Sequence, residues 1–359
     1  MSGIVGLIRR LPEGYEEACF ETGAITRKRG ISDPSDLMFL CMMHLVYGCS
    51  LLEVSAIART NKMGEFSDVA FMKRFSQCGE WFQWISERIL PKEVMSYGMP
   101  DWLKQYRVLA VDASDVQEKG RSHRTYRLHM ALDIFKARGA EYKITTNDVG
   151  ETLRNFGFHT GDLVLADRAY TSANGIVYCI EKGASIISRV RSNGAGIYDD
   201  NENKIDLLSV MQEVGTGEIK GHLKYKGSKP DVRVCFKRKT EEQIADSNKR
   251  VKNNARRKNQ VLQQSTLDFN EFIVLITNLP DSVSTEAILD LYRLRWQIEI
   301  YFKRLKSILR YGELPKKTEK SSLAWINGKI MLALLFEQFM SDILFPPEEE
   351  SEAQLMART

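Results

Sequence analysis

The sequence predicts a mixed α/β fold: a sheet with helices packed on it, preceded by an all-helical N-terminal region and containing a stretch of different composition before its last strand. Three observations predict it. The first hundred residues read as helices throughout. After Pro100 five strand-length runs appear, rich in β-branched and aliphatic residues. Composition then shifts over residues 195–270, and a last apolar strand, EFIVLITNLP, follows the shift.

In the helical region, residues 1–100, SDLMFLCMMHLVYG predicts a largely buried helix. Ser50 and Glu53 have capping-box spacing and open LLEVSAIART. SDVAFMKRFSQ starts a third helix at Ser67, and GEWFQWISERIL a fourth that reaches to about residue 90. LLEVSAIART and the helix after it resemble a helix-turn-helix, but the connection NKMGEF is longer than the usual three or four residues. A DNA-binding pair and a plain helical bundle both remain open.

The core segments, residues 101–194 and 271–345, hold the strands YRVLAVDASDVQ, TYRLHMALDIF, EYKITTND, DLVLADRAY and GASIISRV. Helical patterns fall at ETLRNF and TSANGIVYCIEKG. The insertion adds GEIKGHLKYKG and DVRVCFKRK, then a polar run whose second half is basic through Lys249, Arg250, Arg256 and Arg257. Such a run is by default a solvated helix or a disordered loop. Contact with phosphates near an active site is the functional alternative. Residues 346–359 read as a mobile tail.

Composition excludes several classes. With 43% hydrophobic residues, 27% charged and a net charge of +4, any nucleic-acid argument must rest on local clusters. The six cysteines form no C-x-x-C pair and read as reduced, buried thiols of a cytoplasmic protein. MSGIVGLIRRLPEGYEE has too short an apolar run for a secretory signal. SLAWINGKIMLALLFEQFMSDILF is broken by Asn327, Lys329, Glu337 and Gln338, so it predicts a buried helix and no membrane partner. His123 and His129 lack a third ligand nearby for zinc. No nucleophile-elbow or P-loop motif is present.

The candidate chemistry lies in carboxylates. Four apolar residues, VLAV, run into Asp112, and VLA runs into Asp167. An aspartate at such a place is costly to bury unless paired or metal-bound. Asp115 competes with Asp112 for an active role, and either aspartate alone could be a turn residue. The third carboxylate sits in LYRLRWQIEIYFKRLKSILRYG, a helix-length stretch. At about 100° per residue, Tyr292, Arg295, Glu299 and Lys306 share a stripe roughly 60° wide. Leu294, Ile298, Phe302, Leu305 and Leu309 form the packing face beside it. A solvated face with Arg295–Glu299 as an ordinary i,i+4 pair is the plain alternative. Two strand-end aspartates and a helical glutamate are, however, what a two-metal phosphoryl-transfer site needs, and oxygen ligands suit Mg²⁺ or Mn²⁺.

VDAS around Asp112, ADRAY around Asp167, the strand VLITNLP, and Y-x2-R-x3-E-x6-K together resemble the DDE transposases of the insertion-sequence 4 family, over about residues 35–340. The resemblance implies a ribonuclease-H-like catalytic core with a mostly β insertion between the second aspartate and the glutamate. It implies Asp112, Asp167 and Glu299 as the metal-binding catalytic triad, with Mg²⁺ as cofactor and Mn²⁺ able to substitute. Tyr292, Arg295 and Lys306 would contact the transposon end. Arg168 and Tyr170 match the second-aspartate motif as DNA contacts or supports. Trp296 would stack on a base, or simply pack against the insertion. Ala113-Ser114 is a slight departure from the first motif. The implied partners are double-stranded DNA, as terminal repeats and target, and a second copy of the chain. A transposase-derived binding protein without catalysis and a metal nuclease without strand transfer are the rival readings.

Overall fold

A computed structural model describes residues 2–27, 30–89, 100–118, 125–136, 138–192, 194, 196–308, 313–314 and 318–344. The chain divides into two compact units, one of Met1–Glu93, Asp115–Tyr126 and Lys303–Thr359, the other of Val94–Ser114 and Arg127–Phe302.

The first unit begins with α1 (Ser2–Ile8), α2 (Tyr15–Glu21), α3 (Pro34–Val46), α4 (Leu51–Thr60), α5 (Asp68–Gln77) and α6 (Gly79–Ile89). Local chemistry starts them. Asp33 caps α3 by accepting from the Asp36 amide, with Pro34 in the first turn. Ser50 and Glu53 close the expected capping box at 3.2 and 2.6 Å, and Ser67 accepts from the Ala70 amide to cap α5. Phe71, Phe75, Trp81 and Phe82 are fully buried between these helices. The end of the fourth expected helix, beyond residue 89, lies outside the described residues.

The second unit holds most of the sheet; residues 115–118 and 125–126 of its first two strands belong to the first unit. Its strands and helices are β1 (Arg107–Glu118), β2 (Thr125–Asp133), β3 (Arg138–Thr146), β4 (Asp162–Ala166), α7 (Ala173–Glu181), β5 (Ser185–Arg189), β6 (Ile197–Tyr198), α8 (Leu207–Val214), β7 (Thr216–Leu223), β8 (Asp231–Arg238), α9 (Glu241–Arg257), α10 (Gln264–Asn270), β9 (Phe272–Thr277) and α11 (Thr285–Arg293). Strand order is β3-β2-β1-β4-β5-β9-β8-β7-β6. β1, β4 and β5 are parallel, whereas β9, β8 and β7 continue antiparallel. The stretch 195–270 therefore lengthens the same sheet on the far side of β9. β4 is buried along its whole length, as an interior parallel strand must be.

An ion pair sets the register that matters for the site. Arg107 donates to both oxygens of Asp162 at 2.7 and 2.9 Å, locking the starts of β1 and β4 side by side. The pairing runs from Arg107–Asp162 to Val111–Ala166, the residues just before Asp112 and Asp167.

α12 (Gln297–Ile308) follows α11, with a 3₁₀ turn at Leu294–Trp296 between them. The stretch expected as one helix is thus two helices joined by a tighter turn. Ile298, Phe302 and Leu305 are buried and Leu294 half-buried, as the packing face requires; Leu309 lies outside the described residues. ETLRNF likewise makes a 3₁₀ turn, Leu153–Asn155, rather than an α-helix.

The first unit resumes at Lys303 within α12 and continues with β10 (Glu313–Leu314), which pairs with the end of β1, and α13 (Glu319–Leu344). α13 is the apolar stretch read as a buried helix. Gly328 lets it approach Leu45 and Phe82, where a Cβ would stand 2.6 Å from a Leu45 methyl. The Lys329 ammonium, buried, donates to the Leu45 carbonyl at 2.5 Å. Among the described residues no helix is long and apolar enough to cross a membrane.

Candidate active site

Asp112 and Asp167 emerge together at the ends of neighbouring strands, both half-buried. The Ala113 amide donates to Asp112 at 2.8 Å. Burial still pushes the Asp112 carboxyl up to about 6, and the negative charges of Glu151 and Asp167 add to that against the Ala113 amide and Arg295. The rival Asp115 is exposed and belongs to the other unit. Tyr170 is fully buried, and among the described residues its hydroxyl has no hydrogen-bond partner. Burial raises its phenol, and Asp112, Glu151 and Asp167 raise it further. Of the two roles expected for Tyr170, DNA contact or support of the carboxylates, its 0% exposure in the core leaves the supporting one.

The helical segment packs against the end of β4. The Tyr292 hydroxyl donates to the Ala166 carbonyl at 3.2 Å, one residue before Asp167. Burial and then Asp167 raise the Tyr292 phenol. Arg295 lies 6.0 Å from the centre of the Tyr292 ring and within the field of both aspartates. Its guanidinium donates to one Glu299 oxygen at 2.5 Å, and the Trp296 indole N–H donates to the other at 2.6 Å. The Arg295–Glu299 ion pair is present, yet it is joined by Trp296 and set beside two aspartates. Among the described residues no three His, Cys, Asp or Glu side chains stand close enough to hold a metal ion. Glu299 is thus placed on the segment that reaches the aspartates, but both its oxygens are engaged with its own neighbours.

The donor chemistry nevertheless fits a hard divalent cation. Asp112 stands beside Asp167 where burial already opposes its ionisation, and among the described residues a buried tyrosine hydroxyl there lacks a partner.

Beside the carboxylates opens a cleft of about 650 Å³. Arg168, Arg189, Lys237 and Lys239 line its strand side, and Arg250, Arg293 and Arg295 its helix side, against only Asp246, Glu286 and Asp290. That excess of positive charge suits a polyanion. Tyr292 and Trp296 supply aromatic surface, and Trp296 is 59% exposed. Arg168 is half-buried, its pKa pushed down by burial and Arg189. Of the basic run in α9, Arg250 reaches the cleft; Lys249, Arg256 and Arg257 are exposed on the same helix but do not line it. Lys306 is exposed on α12. His129, once weighed as a zinc ligand, is buried between Thr145 and Asn155, and His123 lies outside the described residues.

Sequence reasoning missed Glu151, Arg189, Lys237 and Lys239. Lys237 and Lys239 did leave a signal: two lysines two apart at a strand end share one face. Glu151 sits in a loop tied to its surroundings by Arg127 donating to Val149 O at 3.2 Å and Asn155 donating to Gly150 O at 3.0 Å.

Paired strand-end carboxylates at the edge of a cationic cleft define a class, that of acidic-site proteins working on a phosphate polymer. The family model described as the transposase DDE domain matches residues 103–335, and the chain belongs to that family. It is 29% identical over 347 residues to InsL of insertion sequence element IS186A of Escherichia coli (strain K12), covering 94% of this chain and 93% of that protein. The transposase for insertion sequence element IS421 of Escherichia coli is 29% identical over 351 residues, with the same coverage. The transposase for insertion sequence element IS1151 of Clostridium perfringens is 29% identical over 256 residues, 64% of this chain and 52% of that one. The resemblance to insertion-sequence DDE transposases is borne out.

Proposed function

We propose that this transposase cuts double-stranded DNA at transposon ends and joins the freed ends to target DNA, with Asp112, Asp167 and Glu299 as the catalytic carboxylates. The observation that carries this reading is the convergence of Asp112 and Asp167 at adjacent strand ends, with Tyr292 and Arg295 packed on them at the mouth of a cationic cleft.

The three carboxylates would hold Mg²⁺, or Mn²⁺ in its place, which when bound sharpens an attacking oxygen and stabilises a leaving one. The chain's own groups do the rest. β1 and β4 fix the two aspartates by register. Tyr292 holds the helical segment to Ala166, so Arg295 stays over the aspartates. Glu299 must exchange Arg295 and Trp296 for the metal site, and the released guanidinium and indole are then free to meet a strand's phosphate and base. Arg168, Arg250 and Lys306 add phosphate contacts, and Lys249, Arg256 and Arg257 extend them along α9. Tyr170 supports the carboxylates from beneath.

In this reading residues 101–194 and 271–345 form a ribonuclease-H-like core, 195–270 an insertion, 1–100 a DNA-reading helical region and 346–359 a tail. Two ends must meet, so the active form is a dimer on DNA, working in the cytoplasm of its host.

The test is cleavage of a labelled duplex bearing the element's own terminal repeat, wild type beside Glu299→Ala, with Mg²⁺ and with Mn²⁺. Metal-dependent nicking at the repeat boundary that the variant loses, followed by strand-transfer products, is the expected result. Nicking without joined products leaves a nuclease; binding without nicking in wild type leaves a binding protein.

A further inference from the structure

Three cations crowd the strand side of the cleft; among the described residues none of them forms an ion pair, although Asp167 acts on Arg168. Arg168 follows Asp167 after β4, Arg189 ends β5, and Lys239 follows β8. The sheet order brings these points together, since β5 neighbours β4 and only β9 separates it from β8. The Nε atoms of Arg168 and Arg189 are both buried and have no hydrogen-bond partner among the described residues. The Lys239 ammonium donates to the Asn270 carbonyl and, at 3.2 Å, to the Ser247 hydroxyl of α9. Burial lowers its pKa to about 8, with Arg189 and Arg168 contributing in turn. Glu271, the acid that acts on Lys239, is itself paired with Arg238 at 3.3 Å.

Such an arrangement is unfavourable as it stands. Like charges are brought together and two guanidinium donors are left unmet, each costly when buried. An anion placed among them would meet the donors and reverse the repulsion. Planar guanidinium forks with an ammonium alongside match the tetrahedral oxygens of a phosphate.

We propose that Arg168, Arg189 and Lys239 form a binding site for a single backbone phosphate of the DNA strand lying in the cleft. The DNA source rests on the transposase reading above; the phosphate chemistry does not. Because Lys239 is tied to Ser247 of α9 and to Asn270, a phosphate there joins the insertion to the strand ends that bear Asp167 and Arg189. Asn270 extends the tie by donating to Ser247 at 3.0 Å and to Asn248 at 2.9 Å. The site also gives Arg189 and Lys239, absent from the motif reading, a positioning role.

The experiment uses the full chain without divalent metal. Inorganic phosphate is titrated against sodium chloride at equal ionic strength while thermal stability is followed. Wild type is expected to gain several degrees from phosphate beyond the chloride control. Arg189→Gln and Lys239→Gln should lose most of that gain, and Lys239→Arg should keep it. Arg189→Gln should melt at or above wild type in phosphate-free buffer, because repulsion has been removed. In duplex binding, each neutralising change should lower the slope of log affinity on log salt by about one. An equal phosphate response in wild type and both glutamine variants overturns the site. So does an Arg189→Gln protein that is less stable than wild type without phosphate. A phosphate response that wild type shows and the glutamine variants lose, in a protein that never cuts DNA, would sink the transposase activity but keep the anion site; cutting with an equal response in wild type and variants would do the reverse.

Discussion

Asp112 and Asp167 are held by hydrogen-bonded parallel strands, whereas Glu299 rides on a helix that follows a 3₁₀ turn. The first two are half-buried at fixed register, and their mutual repulsion is built into the sheet. Glu299 is exposed, with Arg295 and Trp296 as its partners. A strand end offers a carboxylate one position; a helical side chain with exchangeable partners offers at least two. In the proposed triad, then, two members are preorganised and the third must be recruited.

Substitutions can break this contrast. The largest effect is expected on chemistry: Asp112→Asn, Asp167→Asn and Glu299→Gln should each lower cleavage about a thousandfold or more, with duplex binding in metal-free buffer retained. Gel assays of nicking and binding check both halves.

Stability should then separate the two kinds of carboxylate. The folded-state pKa of Asp112 is raised to about 6, so ionising it opposes folding: its contribution is most favourable below its ordinary range near 3.8 and is lost as pH rises through 6. Asp112→Asn should therefore stabilise the protein at pH 8 by roughly 1–3 kcal/mol and have no such effect at pH 4. Glu299→Gln, which breaks a surface ion pair, should change stability by under about 1 kcal/mol at either pH. Thermal melts at the two pH values decide.

A smaller effect sharpens the recruitment idea. Trp296→Phe removes the indole donor to Glu299 while keeping an aromatic ring in a 59% exposed position. Melting should barely move, and the Mg²⁺ concentration that half-saturates cleavage should fall. A rise would mean that Trp296 aids recruitment. The smallest expected change lies on α9, where Arg256→Gln with Arg257→Gln should lower the salt slope of DNA binding by about two and leave cleavage of bound DNA intact.

Much of the architecture was legible because it is written locally. Apolar runs ending in Asp112 and Asp167 marked two strand ends, Ser50–Glu53 marked a helix start, and the interrupted apolar run of α13 marked a buried helix. What stayed hidden depends on contacts distant in sequence. No Gly or Pro announces the turn at Leu294–Trp296; it accompanies the contacts of Tyr292 with Ala166 and of Trp296 with Glu299. Glu151 reaches the aspartates only through a loop pinned by Arg127 and Asn155. Arg189 and Lys239 meet only because β9 lies between β5 and β8, an order no local pattern states. Tyr170 was recognisable by motif, but its complete burial was not.

The most direct test of the account is Mn²⁺ binding, followed by electron paramagnetic resonance with and without terminal-repeat DNA. Asp112→Asn and Asp167→Asn should weaken binding to the free protein, whereas Glu299→Gln should weaken it only once DNA is bound. Equal Mn²⁺ affinity in wild type and all three variants, with DNA present, would contradict this.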